Sequence, residues 1–137
     1  MGCGFGDFYI YARNSDYTGI DTNNERIKFA MEKYNTNFAK IDISEIKYKF
    51  DYIIASGTLT LMPPEKIEKT INHMFALCNY GVGFNLLSDK ADRLDEVEYH
   101  ANPGEVLEYC LTLSRKVVLR HDYMTHDFTV YLYKERP

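Results

Sequence analysis

Four short stretches carry the residues best suited to chemistry. Gly2-Cys3-Gly4-Phe5-Gly6-Asp7 alternates glycines at the start of the chain. Alternate glycines let backbone approach a ligand with no Cβ in the way, and a helix behind them turns its amide-rich end toward that ligand. By itself a G-x-G-x-G also describes a plain turn. Asp21 closes Tyr17-Thr18-Gly19-Ile20-Asp21. An acid at such a strand end can accept hydrogen bonds from both hydroxyls of a ribose; its other role would be to cap the helix that follows. In Ile41-Asp42-Ile43 an acid can accept from an adenine amino group while an apolar neighbour packs on the ring, and a turn aspartate would look the same. Ala55-Ser56-Gly57-Thr58 offers small residues against which a ligand could lie, as would a simple loop.

These stretches need elements to hold them. Asp7 to Arg13 reads as a short helix and Tyr17 to Asp21 as a strand. Thr22 to Glu25 has the spacing of a capping box. The helix it would open carries Ile27, Ala30, Met31 and Tyr34 on one face, the spacing of a buried stripe. Phe38 to Asp42 and Phe50 to Ser56 are further strands, the latter apolar enough for a sheet covered on both faces. Pro63-Pro64 starts a helix with Ile67, Ile71, Met74, Phe75 and Cys78 on one side. Tyr80 to Ser88 is a strand, and Asp89 to Ala101 is charged and irregular, the best candidate for a mobile loop. Asn102-Pro103 caps and starts a last helix. Val117 to Tyr123 and Phe128 to Lys134 are joined tightly enough for an antiparallel hairpin. Such alternation predicts an α/β fold with a mostly parallel sheet, whose ligand lies beyond the carboxyl ends of the strands.

Glycines, acid, acid and small residues thus fall at successive strand ends, and in that order the chain resembles the class I S-adenosylmethionine (SAM)-dependent methyltransferases over essentially its whole length. Gly2-Cys3-Gly4-Phe5-Gly6 matches the family's glycine motif, Asp21 its ribose acid, and Asp42-Ile43 the pair that meets adenine. Residues 117–123 and 127–132 look like the closing hairpin of a bacterial subgroup. The resemblance implies a Rossmann-like single domain over 1–137 that binds SAM or S-adenosylhomocysteine. Gly2, Cys3, Gly4, Phe5, Gly6, Asp21, Thr22, Asp42, Ile43 and Ser56 are its cofactor contacts. It implies methyl transfer to a small molecule or a protein, or, if activity has been lost, a binding module alone. The family's strand before the glycine motif and its N-terminal arm have no counterpart here, so Arg13 is the nearest substitute partner for the cofactor's carboxylate. Strands on either side of that gap must then pair directly or be completed by another chain, which predicts a homodimer. The Asp/Asn-Pro-Pro-Tyr/Phe motif is absent at the fourth strand end, where Ser56-Gly57-Thr58 stands, and this disfavours methylation of DNA bases.

Transfer from a sulfonium needs chiefly that donor and acceptor be held together; a base is optional. Asn85, Tyr99, His100, His121, Asp122 and Tyr123 are candidates for the open end of the sheet. Of these, His121 and Tyr123 are the catalytic candidates, His121 as a proton acceptor and Tyr123 as an aromatic wall for the sulfonium. The 137 residues suit one core. Net charge is -4 with no basic run, which argues against a nucleic-acid partner. Three scattered cysteines show no metal spacing and suggest a reducing compartment. With no signal peptide or membrane-length apolar run, a cytoplasmic protein is expected.

Overall fold

The computed structural model describes residues 1–94 and 96–135. The chain divides into two compact units, Met1–Ile46 and Lys47–Pro137.

In the first unit β1 (Thr18–Asp21) and β2 (Asn37–Lys40) pair in parallel, with Gly19 opposite Phe38 and Asp21 opposite Lys40. A single turn of helix, α1 (Tyr9–Ala12), follows the glycines, and α2 (Asn24–Lys33) connects the two strands. Ile27, Ala30 and Phe38 form the buried centre, with Cys3, Tyr9, Tyr17 and Tyr34 packed around it. Two expectations for α2 are corrected. Its cap is Asn23, whose side chain accepts from the amides of Glu25 and Arg26; Thr22 stands outside the helix, so the capping box starting there does not form. Met31 is exposed, and only Ile27 and Ala30 of the helix are buried, because two short strands need only a narrow apolar stripe to cover them.

Glycine is required in this unit for packing. A Cβ on Gly19 would lie 2.5 Å from Cδ1 of Phe38, and one on Gly6 would lie 2.8 Å from Cζ of the same ring. The Phe38 ring therefore occupies the space that both glycines leave empty.

The second unit holds β3 (Phe50–Ala55), α3 (Pro64–Leu77), β4 (Cys78–Ser88), β5 (His100–Ala101), α4 (Pro103–Leu113), β6 (Val117–Arg120) and β7 (Asp127–Tyr133). Its sheet runs β3-β4-β7-β6, with β5 pairing the carboxyl end of β4. The β3–β4 pair is parallel, and β7 is antiparallel to both β4 and β6, as expected for a closing hairpin. One face carries Ile53, Ala55, Val82, Phe84, Leu86, Phe128, Val130 and Leu132, all buried, and α3 and α4 pack on these strands. Each large side chain buried there contributes roughly 1.5–3 kcal/mol.

The opposite face is open, which corrects the reading of Phe50 to Ser56 as a strand covered on both sides. Tyr52 and Ile54 of β3, Tyr131 and Tyr133 of β7, and Val118 of β6 are all exposed on it. The segment 89–101 is not wholly irregular: it ends in β5, and Tyr99 donates its amide to Thr60. Asp95 within it lies outside the described residues. Among the described residues no helix is long and apolar enough to cross a membrane, and β1 and β3 belong to different sheets.

Gly19→Ala tests the packing role of glycine in the first unit. The new methyl must displace Phe38, and overpacking of this kind costs about 1–3 kcal/mol. Urea unfolding followed by tyrosine fluorescence is expected to show that loss, whereas Gly57→Ala, whose Cβ would meet nothing within 4 Å, is expected to lose only the smaller cost of its positive φ.

Candidate functional site

The acid at the end of β1 turns toward the glycines. Asp21 Oδ2 accepts from the Gly4 amide at 2.9 Å, and Oδ1 accepts from the Asn23 amide at 2.9 Å. The amide of Cys3 donates to Ile20 O at 2.9 Å, so the glycine turn runs beside the edge of β1. A carboxylate offers about four acceptor positions. Both oxygens thus retain a lone pair for a hydroxyl while the backbone bonds hold them in place.

The glycines divide by task. Gly2, Gly4 and Gly6 have φ of 61°, 53° and 82°, a region that suits glycine alone. A Cβ on Gly4 would meet nothing within 4 Å, so this is the glycine with free space before it. Gly6 is buried, and its space is taken by Phe38 and Ala30. Cys3 packs against the core of the unit, and burial pushes its thiol up from the ordinary range. Phe5 is half-exposed and meets Phe29 edge-on at 5.3 Å between ring centres. Asp7 anchors the far side of the turn through Lys33 at 2.9 Å and the Tyr34 hydroxyl at 3.2 Å. Thr22 is exposed next to Asp21, and Arg13 is exposed at the end of α1.

The second acid stands at the same end of the neighbouring strand. β1 and β2 are parallel, and Ile41 donates its amide to Asp21 O at 3.1 Å. Asp42 caps a 3₁₀ turn over Ile43–Glu45, its Oδ1 accepting from Ser44 N at 2.8 Å and Ser44 Oγ at 2.6 Å. Its own amide donates to Glu45 Oε1. The turn-aspartate role is therefore filled. Ile43, read as a wall for a base, turns its side chain into the core at 6% exposure.

In the second unit a polar network joins the turn after β3 to residues of β4 and β7. Gly57, at φ 63°, follows Ser56 and donates its amide to Asn85 Oδ1 at 2.7 Å. Asn85 Nδ2 donates to Asp127, 3.2 Å from Oδ1 and 3.0 Å from Oδ2. The Tyr123 hydroxyl lies 3.1 Å from Asp127 Oδ2 and 2.6 Å from Thr129 Oγ1. Burial pushes the Tyr123 phenol up, so at neutral pH it is protonated and donates. Ser56 is exposed, its carbonyl accepting from Thr58.

The two catalytic candidates part company here. Tyr123 joins the face of Asn85, Asp127 and Thr129. His121 instead lies edge-on to Phe128, at 6.0 Å between ring centres, and Phe128 belongs to the covered face. His121 Nε2 is 3.2 Å from Thr125 O. Asp122 is paired with Arg120 at 2.8 Å. His100 Nδ1 is 3.0 Å from Ser88 O. Asp127 and Thr129 were missed as site residues because in sequence they read as the ordinary start of a strand. The available signal was the hairpin itself, which returns Asp127 opposite Leu87, two residues from Asn85.

Comparison with known proteins places the chain. Residues 1–81 match the family model described as a methyltransferase domain. A Mycobacterium tuberculosis protein assigned as a methyltransferase, Rv1506c, is 30% identical over 150 residues, covering 98% of this chain and 90% of that protein. The chain belongs to the methyltransferase family. Its fold is the Rossmann-like fold of that family's solved structures. Magnesium protoporphyrin IX methyltransferase from Synechocystis PCC 6803, with bound SAM, superposes with a TM-score of 0.79 at 16% identity, over 98% of this chain and 67% of that one. A SAM-dependent methyltransferase from Archaeoglobus fulgidus superposes with a TM-score of 0.78 at 15% identity, over 97% and 83%.

The packing beneath the glycine turn has a signature at high pH. Tyr17 packs on Phe38 at 5.9 Å between ring centres, and burial pushes its phenol up to about 12, with Cys3 adding to the shift. A phenol whose folded value exceeds its unfolded one stabilises the fold fully below the unfolded value, near 10. That contribution is lost as pH rises toward 12. Stability is expected to fall between pH 10 and 12 in urea titrations, and Tyr17→Phe is expected to flatten that part of the profile.

Proposed function

We propose that this chain is an enzyme that binds SAM and transfers its methyl group to a small-molecule or protein acceptor. The observation that carries this reading is the bond from the Gly4 amide to Asp21 Oδ2, because it brings a ribose-binding acid to a glycine with open space before it. In this reading Gly2, Gly4 and Phe5 border the cofactor, Cys3 and Gly6 shape the turn, Asp21 and Thr22 meet the ribose, and Asp42 and Ile43 flank the base. Methyl transfer consists chiefly of holding the sulfonium and the nucleophile in line. Tyr123 is favoured over His121 as a residue of the reaction, since it alone joins the polar network of Asn85 and Asp127.

Residues 1–137 are taken as one methyltransferase domain, a reading supported by solved structures that match 97–98% of the chain. A reducing, cytoplasmic setting is supported by three free cysteines. A homodimer is the assembly proposed, as the commonest symmetric oligomer.

The test is a thermal-shift titration. A ligand bound only by the folded state stabilises it by about 2.7 kcal/mol at one hundred times its Kd. SAM and S-adenosylhomocysteine are expected to raise Tm in this way. Asp21→Asn is expected to lower SAM affinity about tenfold or more, the scale of hydrogen bonds to a charged group. A shift with NAD and none with SAM would overturn the reading.

A further inference from the structure

The Asp127 network has a property that the cofactor does not use. Its hydrogens can be counted. Gly57 N–H donates to Asn85 Oδ1, which fixes the amide so that its NH2 group faces Asp127. A tyrosine hydroxyl has one proton. With that proton on Asp127, the Thr129 hydroxyl must supply the hydrogen of the 2.6 Å bond to Tyr123. Every bond then runs toward the carboxylate, and every donor is neutral. Among the described residues no Lys, Arg or His pairs with Asp127. Arg120, whose backbone pairs with Thr129, is held by Asp122 at 2.8–3.0 Å. Asp127 is therefore a preorganised, half-buried negative charge with no cation of its own, on an open sheet face where Tyr131 adds a half-exposed aromatic ring.

We infer that this network is a binding site for a primary amine, held as its ammonium at Asp127. The ammonium brings the positive charge and the N–H donors that a carboxylate bonded only by neutral donors leaves unmatched. The carboxylate is already fixed by Asn85 and Tyr123, so it needs no rearrangement to receive the cation. An alcohol of the same shape offers one neutral O–H in place of that charge, and hydrogen bonds between charged groups are the stronger ones. The binding does not depend on methyl transfer.

The test uses the full chain, labelled with 15N, and two probes that differ only in the polar group, phenethylamine and 2-phenylethanol. The Asn85 side-chain amide, identified by its absence from Asn85→Ala, is the reporter. A saturable shift with the amine is expected, with the alcohol weaker by about tenfold. Asp127→Asn is expected to weaken amine binding at least about tenfold while keeping the SAM-induced rise in Tm. Tyr123→Phe, which leaves the charge and removes one bond, is expected to weaken it by roughly three- to tenfold. Equal response to the alcohol, no response to the amine, or unchanged amine affinity in Asp127→Asn overturns the proposal. An amine response without any SAM-induced shift leaves the amine site standing and overturns the methyltransferase reading instead.

Discussion

Two backbone amides converge on one carboxylate at the end of β1, and the first unit is organised around that convergence. Asp21 receives Gly4 N–H on one oxygen and Asn23 N–H on the other. The first bond holds the glycine turn against the strand; the second sets the chain to enter α2 in the extended conformation that Asn23 adopts as its cap. Both amides come from segments that have no ladder partner, and the half-buried Gly4 amide would cost about 1–3 kcal/mol if left unpaired. One acid therefore satisfies the turn and the approach to the helix together. Its remaining lone pairs are aimed by the same bonds.

The turn is supported from beneath by Phe38. That ring fills the space left by Gly6 and Gly19 and is packed by Tyr17 and Tyr34. The alternate glycines thus do three different things. Gly4 keeps space open, Gly6 admits an aromatic ring, and Gly2 takes a positive φ. Spacing alone could not separate these tasks, since all three residues look alike until the ring that approaches one of them is known.

Much of the fold was legible because it rests on local chemistry. Asn102-Pro103 caps and opens α4 where expected, with Asn102 Oδ1 accepting from Gly104 and Glu105. Ile67, Ile71, Met74 and Phe75 are buried on α3, as their spacing required. The closing hairpin pairs in the antiparallel sense. Where the reading failed, the deciding factor was tertiary. Two adjacent cap candidates, Thr22 and Asn23, cannot be ranked without knowing that Asp21 already draws in the Asn23 amide. The apolar run of β3 suggested two covered faces, but Ile54 and Tyr52 stand opposite Gly83 and Gly81 on a face that no helix of that unit covers. The approach of Asp21 to the glycine turn was readable from its place at a strand end. Asp127 was not, because its partners come from β4 and from the hairpin connection, and only the register brings them together.

The two acids meet the same requirement by opposite means. Each must be held in one orientation by neutral donors. Asp21 does so with backbone amides, whose positions are set by the turn and cannot drift. Asp127 does so with side chains, Asn85 and Tyr123, which are themselves oriented by Gly57 and Thr129. Backbone donors suit a partner whose shape is constant, such as a ribose. Side-chain donors can be replaced one at a time without disturbing the strands that carry them. A site built this way can change its ligand while the strands that carry it stay as they are, which is how different sites come to be grafted onto one fold.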